Sequence, residues 1–341
     1  MKRASSLLLI CTASALMTAT ACHGNQNVLD AQSTSAGHIE WLWWLIFIIS
    51  AVAFALTVMA LCIGSARSYT SHTVPPEPFE DKLGDERAKP VVATAVAITV
   101  ISLFAILFAS VITGKKVEGL TSKNPVSIQV IGHQWWWEFR YLNSDASMTV
   151  TTANELHIPV GVPISVQLSS ADVIHSFWVP NLFGKRDLIP GYQRAFFFEA
   201  DKQGVYRGQC AEFCGHQHAH MSFYVVAEPV ANFHQWLLEQ VKSAPEPNNS
   251  STARGREVFL TGPCVMCHTV RGTPAGSRVG PDLTHVASRR TIAAGTLANQ
   301  RGNLAGWILD SQHIKPGNRM PPNNLSGDDL NALLDYLETL N

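Results

Sequence analysis

Charge is scarce in this chain. Only 15% of its 341 residues are Asp, Glu, Lys or Arg, 46% are hydrophobic, and the formal net charge is −1. Nucleic acid is therefore not an obvious partner, and so little charge is unusual for a wholly soluble protein. Two stretches have none at all. Residues 41–64 read "WLWWLIFIISAVAFALTVMALCIG" and residues 91–113 read "VVATAVAITVISLFAILFASVIT". A helix of such length reaches roughly 36 Å, enough to cross a bilayer. Two membrane spans are expected, with Trp41, Trp43 and Trp44 in an interfacial aromatic belt.

Basic residues are also missing where they would set orientation. Residues 22–40 contain no Lys or Arg, while the connecting loop 65–90 carries Arg67, Lys82, Arg87 and Lys89. The positive-inside rule places that loop in the cytoplasm and both ends outside. Lys115 and Lys116 oppose this, but long following domains cross largely regardless of charge. Everything beyond about residue 115 is expected to face outward. At the other end, Lys2 and Arg3, the apolar core Leu7 to Met17 and Ala19-Thr20-Ala21 predict a signal peptide over 1–21, which leaves Cys22 first.

Cysteine is too sparse for a disulfide framework. Of the seven, Cys11, Cys22 and Cys62 lie in apolar N-terminal segments. The other four form the pairs Cys210/Cys214 and Cys264/Cys267, a spacing that suggests two cofactor sites. The first pair lies in "QCAEFCGHQHAHM", with three histidines and a methionine. Thiolate, imidazole and thioether together suit copper, whereas zinc rarely takes Met. A single blue copper needs one Cys, so the second thiol suggests a bridged pair of coppers. The segment sits in a region, Val126 to Ala227, of short alternating runs such as "VSIQV", "ISVQL" and "MSFYVV", which predict a small antiparallel β-sandwich or barrel. His175, in "ADVIHSFWVP", is placed to supply a ligand from an earlier loop.

The second pair lies in "GPCVMCHTV". Cys264, Cys267 and His268 form C-x-x-C-H, the c-type haem attachment pattern. No second C-x-x-C completes a zinc site, and no βαβ pattern surrounds it to suggest a thioredoxin-like pair. The Pro-, Asn- and Ser-rich "SAPEPNNSS" before it reads as a flexible linker. The tail "SGDDLNALLDYLETLN" reads as an amphipathic helix with Ser326 and Asp329 resembling a capping box, and with Leu330, Leu333, Leu334, Leu337 and Leu340 on one face.

With these residues in view, the chain resembles cytochrome c oxidase subunit II with a cytochrome c domain fused C-terminally. "CAEFCGHQHAHM" matches the C-x-E-x-C-x3-H-x2-M signature, and "GHQWWWEF", "HSFWVP" and "KRDLIPG" match further segments in the same order. The resemblance implies a two-helix membrane hairpin, a cupredoxin-like antiparallel β-sandwich and an all-α class I cytochrome c domain. The implied division is 22–115 for the anchor, 116–230 for the copper domain, 231–252 for a short helix and linker, and 253–341 for the cytochrome c domain. It implies a dinuclear copper centre held by His175, Cys210, Cys214, His218, Met221 and the backbone carbonyl of Glu212. The Glu212 side chain would reach a magnesium ion shared with subunit I. "GPDLTHV" and "KPGNRMPP" resemble the small cytochrome c fold, which makes Met320 the second axial ligand of haem c beside His268. Trp135 aligns with the tryptophan at which relatives receive electrons from cytochrome c.

Subunits I and III, an external donor such as a cytochrome, and membrane lipid are the implied partners, on the outer face of a prokaryotic plasma membrane. One departure stands out. Relatives open the second span with Glu-x-x-Trp-Thr, whereas this chain reads "LGDERAKPVVATAV", where Asp85 and Glu86 match neither position. The competing functions are a nitrous-oxide-reductase-like copper protein, a copper-carrying assembly protein and a quinol oxidase subunit II. The first would need a histidine-rich cluster on a propeller, the second has no use for haem c, and the third lacks the copper ligands.

Overall fold

The computed structural model describes residues 26–70, 82–119, 124–145 and 148–341. The signal peptide, Cys22 and the middle of the loop after the first span lie outside them.

Two helices, α1 (Thr34–Thr70) and α2 (Lys82–Glu118), make up a compact unit of their own over Gly37–Gly119. They are apolar around the whole circumference: Phe54 is 72% exposed, and Leu61 and Ile101 are each 68% exposed. Such surfaces suit lipid, not water. Three of their hydroxyls bond back to the preceding turn, Thr57 to Ala53 O at 2.8 Å, Thr99 to Ala95 O at 2.9 Å and Ser110 to Ile106 O at 2.8 Å. That satisfies each hydroxyl where no water is available. Both helices outrun the uncharged stretches, because polar flanks continue the backbone ladder beyond the apolar length. The chain is thus membrane-anchored by two apolar helices.

The outer region begins with ten strands: β1 (Val126–His133), β2 (Trp136–Tyr141), β3 (Val150–Ala153), β4 (Glu155–Pro159), β5 (Ile164–Ser170), β6 (His175–Val179), β7 (Phe183–Leu188), β8 (Arg194–Phe198), β9 (Gly204–Cys210) and β10 (Ser222–Glu228). They form two five-stranded sheets, ordered β3-β2-β1-β5-β8 and β4-β10-β9-β6-β7. Alternation decides which residues face inward. In β5, Ile164, Val166 and Leu168 are buried while Gln167 is exposed. Between the sheets lie Trp137, Phe139, Phe177, Phe198 and Phe223, with the rings of Phe177 and Phe223 stacked 4.7 Å apart. Gly208 makes that stack possible, since a Cβ there would lie 2.1 Å from the Phe223 ring.

The sandwich is not purely antiparallel. β1 pairs with β5, and β4 with β10, in parallel. The chain crosses to the opposite sheet between β3 and β4 and back before β5, so these neighbours are joined by crossovers and not by hairpins.

Helix α3 (Val230–Gln240) closes the sandwich. Its Trp236 stacks on His157 at 4.2 Å, and His157 bonds Glu228 at 2.8 Å and Glu155 at 3.1 Å. Burial disfavours the imidazolium, but hydrogen bonds to Glu155 and then Glu228 outweigh it and raise the His157 pKa. A raised base stabilises the fold fully below its unfolded pKa, and that contribution is lost as pH rises through the folded value. Melts of the outer region should therefore lose stability as pH rises above about 6.5, the ordinary histidine value. His157→Gln should flatten that slope; an unaltered slope would place the titration elsewhere.

The C-terminal region is helical: α4 (Ser250–Thr261), α5 (Arg301–Leu309), α6 (Ser311–Ile314) and α7 (Gly327–Leu337), with a small ribbon of β11 (Thr291–Ile292) and β12 (Leu297–Ala298). α4 crosses α7 at Gly255, where a Cβ would lie 1.9 Å from Ala332 O. Phe259, Leu333, Leu334, Leu337 and Leu340 fill the core below the crossing. The end of the supposed linker is in fact the start of α4. Asn249 and Thr252 form a reciprocal capping box, as Asn at an N-cap favours. At α7, Ser326 caps the Asp329 N–H, but the Asp329 carboxylate turns to Arg254 at 2.7 Å and leaves the box half made.

Candidate metal centres

The first centre is built by strand pairing. β6 pairs with β9 in the register Phe177↔Cys210, which brings His175, at the start of β6, beside Cys210, at the end of β9. The loop 211–221 then folds back, and Cys210 N donates to Met221 O at 2.9 Å. Gly132 leaves room for the His175 ring, since a Cβ there would lie 2.8 Å from it.

The donor atoms face one another. Cys210 Sγ lies 3.8 Å from Cys214 Sγ, 3.9 Å from His175 Nδ1 and 3.1 Å from the Glu212 carbonyl oxygen. Cys214 Sγ lies 3.6 Å from His218 Nδ1 and 3.9 Å from Met221 Sδ. Both cysteines are buried free thiols. His216 and His220 are exposed, and His220 Nδ1 is engaged by Gln217 at 2.9 Å. The six donors expected from the sequence come from one loop and one strand start, and their atoms lie next to one another.

Electrostatics prepares the cluster for a cation. The Cys214 S–H, ahead of His175, pulls Cys210 down to about 3, and the shared proton raises Cys214. His175 Nε2 bonds Asp172 at 2.9 Å, which leaves Nδ1 facing the sulfurs. A carboxylate behind a ligand imidazole fixes its tautomer and orientation. Thiolate, imidazole, thioether and carbonyl donors in one buried pocket fit copper. The Glu212 carboxylate points away from the cluster to Lys185, at 3.0 Å.

The second centre surrounds His268. Its Nδ1 bonds Pro281 O at 2.7 Å, so Nε2 is left for a ligand. Burial lowers its pKa and keeps the imidazole neutral, as ligation requires. Gly280 cradles the ring, with an added Cβ falling 2.7 Å from it. Cys264 and Cys267 are free thiols on the preceding turn. Arg289 carries a buried Nε without a partner and electrostatically lowers His268. A porphyrin with acidic side groups fits this set. Met320 is half-buried against the helical core, and its backbone is braced by Ser311 at 2.6 Å and Gln312 at 2.8 Å.

Trp135 lies beside the first centre, against the helical region. It occupies the turn before β2 and not the strand, so only Trp136 and Trp137 alternate there. Trp137 is fully buried, while Trp136 stacks on His133 at 4.2 Å. Trp135 Nε1 donates to Cys214 O at 2.9 Å, beside Gln134 Nε2 at 2.8 Å. The residue is only 8% exposed. The 315–317 segment of the helical region covers it, with Lys315 Nζ 2.9 Å from Trp135 O.

Sequence reasoning missed Asp172 and Lys315. A carboxylate three residues before a ligand histidine was a signal for the first. For Lys315 there was none, because a lysine beside Pro-Gly reads as solvated loop.

Comparison with known proteins agrees with this picture. Family profiles described as cytochrome C oxidase subunit II, periplasmic domain, and cytochrome c match residues 142–229 and 252–341. The cytochrome c oxidase subunit 2 of Alkalihalophilus pseudofirmus is 34% identical over 332 residues, 94% of this chain and 93% of that one. That of Bacillus sp. strain PS3 is 31% identical over 253 residues, 71% of this chain and 68% of that one. Among solved structures, the periplasmic domain of cytochrome oxidase subunit II of Bradyrhizobium japonicum matches with 30% identity and a TM-score of 0.33, over 36% of this chain and 96% of that one. The chain therefore belongs to the cytochrome c oxidase subunit II family: it is a membrane-anchored subunit of a terminal oxidase, with a copper domain and, fused behind it, a haem-binding cytochrome c domain.

Proposed function

We propose that this subunit takes electrons from an external donor, such as a cytochrome, onto its own haem c and hands them through a dinuclear copper centre to subunit I. When bound, two coppers and one covalent haem supply one-electron exchange with little change of geometry. The observation that carries the reading is the donor cluster, in which two thiols, two imidazoles, a thioether and a carbonyl oxygen line one buried pocket within 3.1–3.9 Å of their neighbours.

The chain's own residues have separate tasks. Cys210, Cys214, His175, His218, Met221 and the Glu212 carbonyl would hold the coppers. Asp172 orients His175. Cys264 and Cys267 would tether the porphyrin, and His268 and Met320 would hold its iron, a Met/His pairing that would raise its potential. Trp135 is the point where electrons arrive at the copper domain. The Glu212 carboxylate, which pairs with Lys185 in the chain alone, would bind a magnesium ion shared with subunit I. Subunit III and lipid complete the surroundings, with both outer domains on the periplasmic face of a multi-pass assembly.

Metal and haem analysis of the full chain tests this. Two coppers and one covalently bound haem per chain are expected, with a near-infrared copper band that the Cys210→Ser variant lacks. Zinc in place of copper, or no covalent haem, would overturn the reading.

A further inference from the structure

Lys315 is buried, with 2% of its surface exposed, yet no carboxylate pairs with it among the described residues. An ammonium has three N–H donors, and each finds a carbonyl: Trp135 O at 2.9 Å, His220 O at 2.9 Å and Ala293 O at 3.2 Å. Burying a cation costs several kcal/mol unless all its protons are satisfied. An apolar side chain would fill the same space at less cost, so packing alone does not account for a lysine.

The destinations of the bonds do. Trp135 is the residue whose indole donates to Cys214 O. His220 immediately precedes Met221. One cation from the helical domain thus grips both backbone segments that wall the copper ligands. On its own side, Lys315 begins the loop that ends at Met320, and that loop is internally braced. Asn318 Nδ2 donates to Lys315 O at 2.8 Å, and Met320 N donates to Asn318 Oδ1 at 2.8 Å. Gln217 Nε2 adds a second grip on Pro316 O at 2.9 Å. Gly317, at φ +83°, brings the backbone against the Trp135 ring, where a Cβ would lie 3.9 Å away. A residue with a side chain is strained at that φ.

We propose that Lys315 is a positioning residue: its ammonium locks the Met320 loop onto Trp135 and so fixes the contact through which the haem and copper centres exchange electrons. The proposal rests on the function given above. It explains why the cation is satisfied by carbonyls and not by a carboxylate. Two of the three carbonyls, Trp135 O and His220 O, are available only when the two domains are seated, so an unseated domain leaves most of the charge to water and the seated one holds it in a single geometry.

The test uses the full chain in detergent, loaded with copper and haem, with haem reduced by a flash from a photoexcited ruthenium complex. Lys315→Met keeps the length of the side chain and removes all its donors, while Lys315→Gln keeps an amide donor. Lys242→Met, at an exposed pair with Glu239, serves as control. Both Lys315 variants should retain copper and haem spectra. Haem-to-copper transfer should slow at least about tenfold in Lys315→Met, as expected for loss of two charged hydrogen bonds across the joint. It should slow less in Lys315→Gln and stay unchanged in the control. The relaxation of the copper electron-spin signal by the haem iron should weaken in the same order. Unchanged transfer and relaxation, with only a lower melting temperature, would reduce Lys315 to a structural residue and overturn the proposal. Loss of either cofactor in both variants overturns it too, since the role would then lie in building a site. Absence of copper or haem from the unaltered chain would instead defeat the underlying function.

Discussion

His218→Ala should abolish the near-infrared copper absorption, whereas His216→Ala and His220→Ala should leave it nearly intact. The three imidazoles alternate within a few residues, and geometry separates them. Residues 218–220 form a short 3-10 turn, in which positions three apart lie on the same side. His218 and Met221 therefore face the sulfurs together, with His218 Nδ1 3.6 Å from Cys214 Sγ. His220 turns to Gln217 and His216 is exposed. Loss of an outer partner of a metal ligand costs about 10–100-fold in affinity, and loss of the ligand itself should exceed that. Copper content after dialysis against a chelator, together with the absorption spectrum, reads the result. Equal damage from all three substitutions would show that the loop does not select His218.

The copper loop is legible because its chemistry is local. Five of its six donors fall within residues 210–221, and their order in the chain is nearly their order in space. The same holds for the membrane helices, where an uncharged run is itself the physical cause of insertion, and for the leucines of α7, whose spacing is the face they bury. What stayed illegible was set by distant partners. The parallel pairing of β1 with β5 follows from where the chain crosses between sheets, which alternation along one strand does not encode. The "NNSS" before α4 has linker composition, yet Asn249 caps a helix, because the residues that suit a turn also suit an N-cap. Trp135 directly precedes the two strand tryptophans Trp136 and Trp137. Its place in the turn, and the cover over it, depend on Lys315, far along the chain. The contact proposed to carry the electron is thus the one that no local pattern could announce.

That contact makes Trp135→Ala the most demanding variant. With both cofactors loaded, it should slow haem-to-copper transfer on the order of 100-fold, since a displacement of about 1 Å at a reacting contact can cost that much. The indole does three things at once: it fills the joint under the 315–317 segment, donates to Cys214 O at 2.9 Å, and supplies the aromatic ring proposed as the point of electron arrival. Alanine removes all three, and the cavity should destabilise the outer region by about 3–5 kcal/mol. The Cys214 carbonyl keeps its bond from Gln134 Nε2 at 2.8 Å, so the copper loop has a remaining support and its spectrum should survive. Trp135→Phe divides these roles, because the phenyl ring keeps most of the packing and loses only the Nε1–H. If the hydrogen bond to Cys214 carries the coupling, Phe should be nearly as slow as Ala while melting close to the unaltered protein. If the ring's bulk seats the haem domain, Phe should restore most of the rate. A flash-induced rate that stays unaltered in a correctly metallated Trp135→Ala protein would move the point of electron arrival elsewhere on the copper domain.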